Sequence, residues 1–345
     1  MKLFLYFSAS VSASSAPRRL HLNFPHDKQL NGNDNAAMKY RRLGKSDLRV
    51  SVIGMGTWQL GGEWGKDFSQ DEVEQMFEAA REVGIDFIDT AECYGDHTSE
   101  SFIGNAIRKD RGKWVIATKF GHKFHSHMNR TDERTAADVL KQVQDSLKAL
   151  KTEYIDLYQY HSIRFEEFDN DELTDALQNL LKSGKIRHLG NSISGNTRKN
   201  IDQVENSTRR HVEAIQVIYN RLDKTPEEQV FPLCRKQNLG VLARVPLASG
   251  FLSGKYKPGS SFGTNDVRAG QDKAVIDQRL REVEEIRRKE VTPGTNMAEW
   301  ALAWCLQNPA VTAVIPGCKD EKQVRTNAAA AELEMVREDH PQAWK

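Results

Sequence analysis

Short apolar runs alternate with amphipathic helical patterns along most of this chain. Apolar runs bounded by turn residues are typical of buried strands, and a 3.6-residue apolar period is typical of helices packed on a sheet. We expect strands to begin near Val50, Ile85, Trp114, Ile155, Ile186, Ala214, Val241 and Val311. Because strand–helix–strand units give parallel strands, eight of them predict an α/β fold, the (β/α)8 TIM barrel.

Helical periodicity predicts the segments that connect these strands. They are 69–83, 99–109, 134–150, 171–182, 197–205, 226–237 and 297–307. An extra charged helix (277–290) is expected after a long loop (255–271) that follows strand seven, and 320–330 is expected to be the last helix on the barrel wall. Residues 40–52 alternate around a turn-rich centre, which predicts a β-hairpin that closes the bottom of the barrel.

Two nucleotide-binding signatures are incomplete in this sequence. A doubly wound sheet, the main rival fold, would normally carry Gly-x-Gly-x-x-Gly after its first strand. Here Gly54-Met-Gly56 is followed by Thr-Trp-Gln, so that fingerprint is absent. Gly44-Lys-Ser46 matches the end of a P-loop, but Lys39 stands where that motif requires glycine. The barrel is therefore the better prediction.

Four polar side chains stand at, or just beyond, the ends of three predicted strands. Asp89 ends the second strand, and Tyr94 follows it closely. Lys119 ends the third strand, and His161 ends the fourth. Parallel strands put their carboxyl ends on one face of a barrel, so we expect these side chains to converge. An acid, a phenol, an amine and an imidazole together predict a proton-donating site.

The pKa values of these groups indicate which reaction the site suits. A free phenol has a pKa of about 10, which makes it too weak an acid to work well near neutrality. A neighbouring ammonium lowers that pKa, so Lys119, held by Asp89, is expected to tune Tyr94 as a general acid. His161 is expected to hydrogen-bond the oxygen that Tyr94 protonates. The set favours reduction of a carbonyl, with hydride from a cofactor because no side chain supplies one.

Seven motifs occur in the order found in one known family. They are Gly54-Met-Gly-Thr-Trp58, Asp89-Thr-Ala-Glu-Cys-Tyr-Gly95, Thr118-Lys-Phe120, Tyr160-His161, Gln216-Val-Ile-Tyr-Asn220, Pro246-Leu-Ala-Ser-Gly250 and Ile315-Pro-Gly317. From about Met38 to about Ala330 the chain resembles the aldo-keto reductases. The resemblance implies a barrel, a nicotinamide cofactor, reduction of an aldehyde or ketone to an alcohol, and catalytic roles for the four residues above.

The same resemblance implies an NADP(H) site. The expected cofactor-binding residues are Gly56, Thr57, Trp58, Asp89, Ser192, Gln216, Arg244, Pro246, Leu247, Ser249, Gly317, Lys319, Gln323 and Asn327. Ser192 and Gln216 take positions that hold the nicotinamide carboxamide in relatives, whereas Ile193 replaces the usual asparagine. Arg244 stands where many relatives stack a tyrosine on the nicotinamide ring, and a planar guanidinium can also lie against a flat ring.

The phosphates of this cofactor have separate candidates. Residues 246–253 form a loop whose backbone N–H groups can meet the pyrophosphate. The N-terminus of the last helix is a ready anion site, and Lys319 is the best candidate for the 2′-phosphate. Arg325 is expected to help if the helix turns it inward, and Asp320 would repel phosphate unless it points away as a cap. NADP(H) is favoured because no acidic residue stands where it would plainly grip a free 2′-hydroxyl.

Composition changes this picture mainly by exclusion. The chain has 39% hydrophobic and 28% charged residues and a net charge of +1. It therefore lacks the strong positive electrostatic field that would attract nucleic acid or an anionic membrane. No apolar stretch approaches the roughly 20 residues of a membrane helix. The four cysteines lack metal-ligand spacing, which favours free thiols and a cytoplasmic location. His122, His125 and His127 lack accompanying ligand motifs, so we expect them in the loop after strand three and expect no metal.

The N-terminal residues are expected to lie outside the barrel domain, which should span 38–345. Residues 1–16 loosely resemble a secretory signal, which leaves secretion as a minor alternative. Residues 18–37 are polar without periodicity, a composition that favours disorder. Because the family resemblance begins at Met38, translation from that methionine is also open.

Two alternatives to carbonyl reduction belong to other classes of protein. A non-catalytic, nucleotide-sensing barrel subunit would be marked by loss of Tyr94 or Lys119, and both are present. A barrel isomerase or aldolase should not oxidise NADPH at all. The sequence leaves the physiological substrate and the oligomeric state open.

Overall fold

The structure, a computed structural model, describes residues 38–344. The predictions for residues 1–37 lie outside the described residues. The strands in chain order are β1 (Tyr40–Arg42), β2 (Arg49–Ser51), β3 (Met55–Gly56), β4 (Phe87–Asp89), β5 (Val115–Phe120), β6 (His122–Ser126), β7 (Asn129–Asp132), β8 (Ile155–His161), β9 (Ile186–Ser192), β10 (Val212–Ile218), β11 (Gly240–Arg244) and β12 (Ala313–Val314).

Eight of these strands form a closed parallel sheet. Its order is β3-β4-β5-β8-β9-β10-β11-β12, so each strand lies beside the next barrel strand along the chain. Parallel bridges from Ile53 to Val314 and from Gly56 to Gly317 join the two ends of the sheet. The predicted (β/α)8 barrel is confirmed. The pairs β1–β2 and β6–β7 are separate antiparallel hairpins.

Helices connect the barrel strands. They are α1 (Gln70–Glu82), α2 (Thr98–Ala106), α3 (Ala136–Ala149), α4 (Phe165–Phe168), α5 (Asp171–Lys182), α6 (Ile201–Glu205), α7 (Val230–Gln237), α8 (Lys273–Glu290), α9 (Met297–Leu306) and α10 (Glu321–Ala329). Between residues 38 and 344, no helix combines the length and the apolarity needed to cross a bilayer.

Helix α1 shows how local sequence sets these elements. Ser69 Oγ accepts a hydrogen bond from the Glu72 backbone N–H (3.3 Å), and the Glu72 carboxylate accepts one from the Ser69 N–H (2.9 Å). This capping box satisfies two N–H groups that the helix leaves unpaired. The residues that α1 buries at helical spacing are Val73, Met76, Phe77 and Ala80. One face of the helix therefore packs on the barrel.

The β1–β2 hairpin closes the bottom of the barrel, as predicted. Leu43, Leu48 and Val50 join an apolar cluster inside it, whose other buried members are Phe87, Ala117, Leu157, Ala214, Leu242, Ala313 and Ile315. Leu43 lies against Gly240, the first residue of β11, where an added Cβ would meet Leu43 Cδ1 at 2.4 Å. The hairpin therefore fills the end of the barrel opposite the carboxyl ends of its strands.

Two strand assignments made from the sequence are wrong. Residues near Val50, predicted to begin the first barrel strand, lie in β2 and pair with β1. Apolar residues continue from the hairpin into β3, so the pattern alone does not separate them. The segment from His122 to Asp132, predicted as a loop, forms the β6–β7 hairpin. Most of its side chains are exposed, so it lacks the apolar alternation that identifies strands.

Three helix boundaries also differ from the prediction. Helix α8 begins at Lys273 rather than near residue 277, because the Asp272 carboxylate caps it by accepting from the Ala274 N–H at 2.7 Å. The segments predicted at 197–205 and 226–237 each begin as a 3-10 turn before α6 and α7.

The contact between the hairpin and β11 gives a stability prediction. Gly44 has φ +58°, and a Cβ there would lie 2.1 Å from the Gly240 nitrogen. We expect Gly44→Ala to lower the free energy of unfolding by about 2–4 kcal/mol, because left-handed strain and overlap add. Gly112→Ala is the matched control, since a Cβ at Gly112 meets nothing within 4 Å. Equal denaturant midpoints for the two variants would contradict this packing.

Candidate active site

One cavity opens at the carboxyl ends of the barrel strands. Its volume is about 650 Å³, within the range of about 300–1,000 Å³ typical of ligand sites. All of the residues expected to bind the cofactor line it, and so do Tyr94 and His161. Lys119 is buried behind the wall, in contact with Tyr94. The structure therefore brings together every site residue predicted from the sequence.

Strand register explains this convergence. Asp89, the last residue of β4, lies beside Gly56 of β3. His161, the last residue of β8, lies beside Ser192, which ends β9. Parallel strands in register place these ends at one height around the barrel, so residues distant in sequence become neighbours.

All three hydrogen-bond donors of the Lys119 ammonium have acceptors. Lys119 Nζ donates to Asp89 Oδ1 at 2.7 Å, to the Thr90 carbonyl at 2.6 Å and to the Tyr94 hydroxyl at 3.3 Å. Burial lowers the pKa of Lys119, but the Asp89 carboxylate and the Tyr94 hydroxyl together outweigh burial, so the pKa lies above its ordinary value. Lys119 therefore stays charged at neutral pH.

The pKa of Tyr94 corrects one expectation from the sequence. Burial raises the pKa of Tyr94 to about 12, and the Lys119 ammonium opposes that rise. Lys119 thus acts on the Tyr94 pKa in the predicted direction. The predicted net lowering of that pKa is wrong, because loss of water around the hydroxyl has the larger effect. Tyr94 keeps its proton throughout the neutral range. The raised pKa keeps Tyr94 in its acid form but also makes it a weaker acid, so donation of the proton would depend on the Lys119 ammonium to stabilise the phenolate.

The second oxygen of Asp89 connects this group to the predicted cofactor contacts. Asp89 Oδ2 accepts from Gln216 Nε2 at 2.6 Å and from Gln159 Nε2 at 3.2 Å. Ser192 Oγ donates to Gln216 Oε1 at 3.1 Å. Sequence reasoning missed Gln159, because a single glutamine inside an apolar strand carries no motif. Its position two residues before His161 was the only available signal.

His161 is neutral at physiological pH. Burial lowers the pKa of His161 well below its ordinary value, and the nearby His122 and Lys119 lower it further. The Nδ1 atom lies 3.8 Å from Cys93 Sγ. A neutral imidazole has one N–H to donate, so His161 can hydrogen-bond an oxygen without competing with Tyr94 as the proton source.

A cluster that includes His161 contains the residue types that bind metal ions. Glu92, Cys93 and His161 offer ligand atoms within 4.8 Å of one another. Burial raises the pKa of Glu92 to about 8 and raises that of Cys93 far above its ordinary value. Both groups hold protons at neutral pH, whereas metal ligands must be deprotonated. We infer no metal from this cluster, and its absence stays a prediction.

Above these residues the cavity has the chemistry that a dinucleotide needs. Within residues 38–344, Gln59 Oε1 and Arg244 Nε are buried without a hydrogen-bond partner. The Arg244 guanidinium also donates to the Ile193 carbonyl at 3.2 Å, which holds this planar cation at the wall. A Cβ at Gly317 would lie 2.1 Å from Gln59 Nε2, so a side chain there would displace the Gln59 amide from its present position. A ligand that has both a flat ring and polar groups can lie against the Arg244 guanidinium and hydrogen-bond to the unpaired atoms.

The N-terminus of α10 presents cations at the far end of the cavity. Lys319 and Lys322 both line it, and Lys322 was missed by the sequence analysis. Asp320 Oδ1 accepts from the Gln323 N–H at 2.8 Å, so this carboxylate acts as the helix cap. Arg325 pairs with Glu82 at 2.6 Å and does not line the cavity, so the condition for its role at the phosphate is not met. Lys319 Nζ donates to the Trp64 carbonyl.

Three segments, which we call the roof, cover the open side of the cavity. They are the loop 57–66, the β6–β7 hairpin and the segment 255–271. Trp64 and Asp266 form an antiparallel bridge across the cavity mouth, and the Gly65 N–H donates to the Asn265 carbonyl at 3.1 Å. Arg268 holds Asp266 by two hydrogen bonds of 2.8 and 2.6 Å. Backbone pairing therefore joins the loop 57–66 to the segment 255–271, and the Arg268–Asp266 pair braces that segment internally.

Fold and site together define a (β/α)8-barrel protein with a buried Asp89–Lys119–Tyr94 cluster at its carboxyl face. A sequence profile of the Aldo/keto reductase family matches residues 52–343. The chain belongs to the aldo/keto reductase family, which confirms the resemblance seen in the sequence and supports an oxidoreductase.

Individual relatives agree with this assignment. The uncharacterized oxidoreductase YqkF of Bacillus subtilis (strain 168) is 32% identical over 310 residues, which cover 89% of this chain and 95% of that protein. A probable voltage-gated potassium channel subunit beta of Oryza sativa subsp. japonica is 28% identical over 86% of this chain and 92% of its own. The holo form of aldo-keto reductase AKR11C1 from Bacillus halodurans superposes with a TM-score of 0.72, at 30% identity over 89% of this chain and 97% of that one.

Proposed function

We propose that this protein uses NADP(H) to reduce an aldehyde or ketone to an alcohol. One observation carries the proposal: the buried Asp89–Lys119–Tyr94 chain meets the same cavity that Arg244 and Lys319 line. A proton donor and a dinucleotide-sized site with cations at its far end therefore share one space. Screening NADPH consumption against aldehydes, ketones and sugars tests it directly, and no consumption with any of them would refute it.

In this proposal each polar residue has a separate role. A bound reduced nicotinamide supplies hydride to the carbonyl carbon. Tyr94 donates its proton to the carbonyl oxygen, and the Lys119 ammonium, 3.3 Å away, stabilises the phenolate that remains. His161 donates a hydrogen bond to the same oxygen. Hydride on carbon and a proton on oxygen give the alcohol, and Tyr94 regains its proton from solvent.

The cofactor is proposed to lie along the cavity wall. Ser192 and Gln216 hold the carboxamide, and Arg244 lies against the nicotinamide ring. The loop that contains Ser249 contacts the pyrophosphate, and Lys319 contacts the 2′-phosphate. Tyr94 is protonated at neutral pH, as reduction requires, and the Lys119 ammonium offsets part of the rise in its pKa by stabilising the phenolate that proton donation leaves.

A second candidate is a non-catalytic barrel subunit that senses a nucleotide, and the name of the rice relative, a probable channel subunit beta, supports a role as a subunit. This candidate predicts NADPH binding with no consumption for any carbonyl substrate. The intact contacts of Tyr94 and Lys119 favour the enzyme, since a sensor has no need of a proton donor.

Replacing Tyr94 with phenylalanine keeps the ring and removes the proton. We expect Tyr94→Phe to lower kcat by about 10²–10⁴-fold, which is the usual contribution of a general acid. The affinity for NADPH, measured by fluorescence titration, should change little because the hydroxyl acts in the transition state. Retention of most of the activity would show that Tyr94 is not the acid.

Replacing Lys119 with methionine removes the charge that opposes the rise in the Tyr94 pKa. The pKa of Tyr94 should then exceed about 12. Alcohol oxidation needs the deprotonated tyrosine, so its rate at neutral pH should fall and recover only at higher pH. The measurement is the pH profile of oxidation in Lys119→Met and in Lys119→Arg, which keeps the charge.

A control is needed because Lys119→Met leaves the Asp89 carboxylate buried without its counter-ion. The double variant Asp89→Asn/Lys119→Met removes both charges and should show an alkaline displacement that is smaller than that of Lys119→Met, because the Asp89 charge itself raises the pKa of Tyr94. An unchanged profile in both variants would mean that Lys119 does not tune Tyr94.

Cofactor preference depends on the cations at α10. We expect wild-type protein to prefer NADPH and Lys319→Ala to lose about 10-fold or more of that preference, as for one charge-assisted bond. KM for NADH should change little. Arg325→Ala is the matched control, because Arg325 pairs with Glu82 away from the cavity. A wild-type preference for NADH would overturn the assignment of NADP(H).

A further inference from the structure

We propose that Glu63 is a specificity-determining residue that positions the substrate side of the cavity. Its carboxylate joins two parts of the roof, the loop 57–66 and the β6–β7 hairpin. This inference builds on the proposed function, since it concerns how the same site recognises a carbonyl compound.

Three donors converge on the Glu63 carboxylate. Glu63 is buried, with only 1% of its surface exposed. Oε2 accepts from Trp58 Nε1 at 2.6 Å, and Oε1 accepts from the Met128 N–H at the hairpin tip at 2.8 Å. The Arg130 guanidinium completes the set as an ion pair. A buried carboxylate with these partners fixes the hairpin to the loop at one point.

The first consequence concerns Trp58. Its ring stacks on Tyr94, with centroids 5.9 Å apart and 19° between the planes, and it meets Trp64 edge-on at 5.2 Å. Glu63 holds the only polar atom of this indole. The orientation of the ring beside the proposed proton donor therefore depends on Glu63.

The second consequence concerns the hairpin. It contributes His122, Met128 and Arg130 to the cavity lining. Arg130 also donates to the Cys93 carbonyl at 3.2 Å, next to Tyr94 in the chain. Because exposed strands of this kind bury little apolar surface, contacts at the tip of the hairpin decide its position. Glu63 supplies two of those contacts.

The segment 255–271, on the cofactor side of the roof, is held by the backbone carbonyl of Glu63 and not by its carboxylate. The Glu63 carbonyl accepts from the Val267 N–H at 3.2 Å, which holds the segment 255–271. A side-chain substitution leaves this backbone bond in place. Loss of the carboxylate should therefore loosen the substrate side and spare cofactor binding.

Glu63→Gln tests the inference with almost no change of shape. An amide accepts through one oxygen only and turns its NH2 group toward a donor, and Arg130 loses its counter-ion. We expect KM for 4-nitrobenzaldehyde to rise about 10-fold. We expect kcat and the affinity for NADPH to stay within about twofold, because the remaining amide oxygen can still accept from Trp58 Nε1 and the backbone bond from Val267 is unchanged.

Glu133→Gln is the matched control. Glu133 lies at the base of the same hairpin, paired with Lys123 at 3.4 Å, and makes no contact with Trp58. This control removes the same charge and should leave KM unchanged. Arg130→Gln breaks the ion pair from the other side, and its effect on KM should not add fully to that of Glu63→Gln.

Hydrogen exchange provides a readout that needs no activity. Amides of residues 122–132 should exchange at least about 10-fold faster in Glu63→Gln than in wild type or Glu133→Gln, with little change in the barrel strands. Unchanged KM together with unchanged exchange would refute the role of Glu63. So would a fall in kcat at constant KM. Faster exchange in a protein that reduces no carbonyl would support the junction and refute the proposed function instead.

Discussion

The ammonium of Lys119 lies at the carboxyl end of the barrel, where solvent does not reach it. Removing an ammonium and a carboxylate from water costs several kcal/mol per ion, and the pair is stable only if each charge keeps good partners. Here Lys119 has three acceptors, and Asp89 accepts from Lys119, Gln159 and Gln216. A barrel that closed with β4 and β5 out of register would separate the two charges, and an error at β8 or β10 would remove a hydrogen bond to Asp89.

The need to pair these buried charges involves strands on opposite sides of the barrel. It distinguishes the strand ends, which regular structure holds, from the roof. Asp89 is on β4, Lys119 on β5 and Gln216 on β10, so one buried ion pair fixes side chains from distant strands. The groups that would meet the reacting atoms are therefore held by regular structure. The roof is different, because loops and an exposed hairpin form it and a few polar contacts, including those of Glu63, hold it together. Loops of this kind vary more readily than the strands below them, so the roof is where substrate preference can change.

Sequence alone determined the barrel and the residues at its carboxyl face. Alternating apolar and helical periods are local patterns, and eight of them define parallel strands whose ends must meet. That logic was enough to bring Asp89, Lys119 and His161 together, and the family motifs added the residues that are expected to bind a cofactor. Helix caps such as Ser69 were also readable, because a cap depends on residues three positions apart.

Only the tertiary structure decided what depends on burial and on distant partners. The net pKa of Tyr94 is set by the loss of water around its hydroxyl, which no local pattern reports. Gln159 gains its role from Asp89, far away in sequence, and Arg325 is turned from the cavity by Glu82. The β6–β7 hairpin lacks apolar alternation because its strands are mostly exposed, so its pairing became visible only in three dimensions. Periodicity is local, whereas desolvation and the choice of a partner are properties of the folded chain.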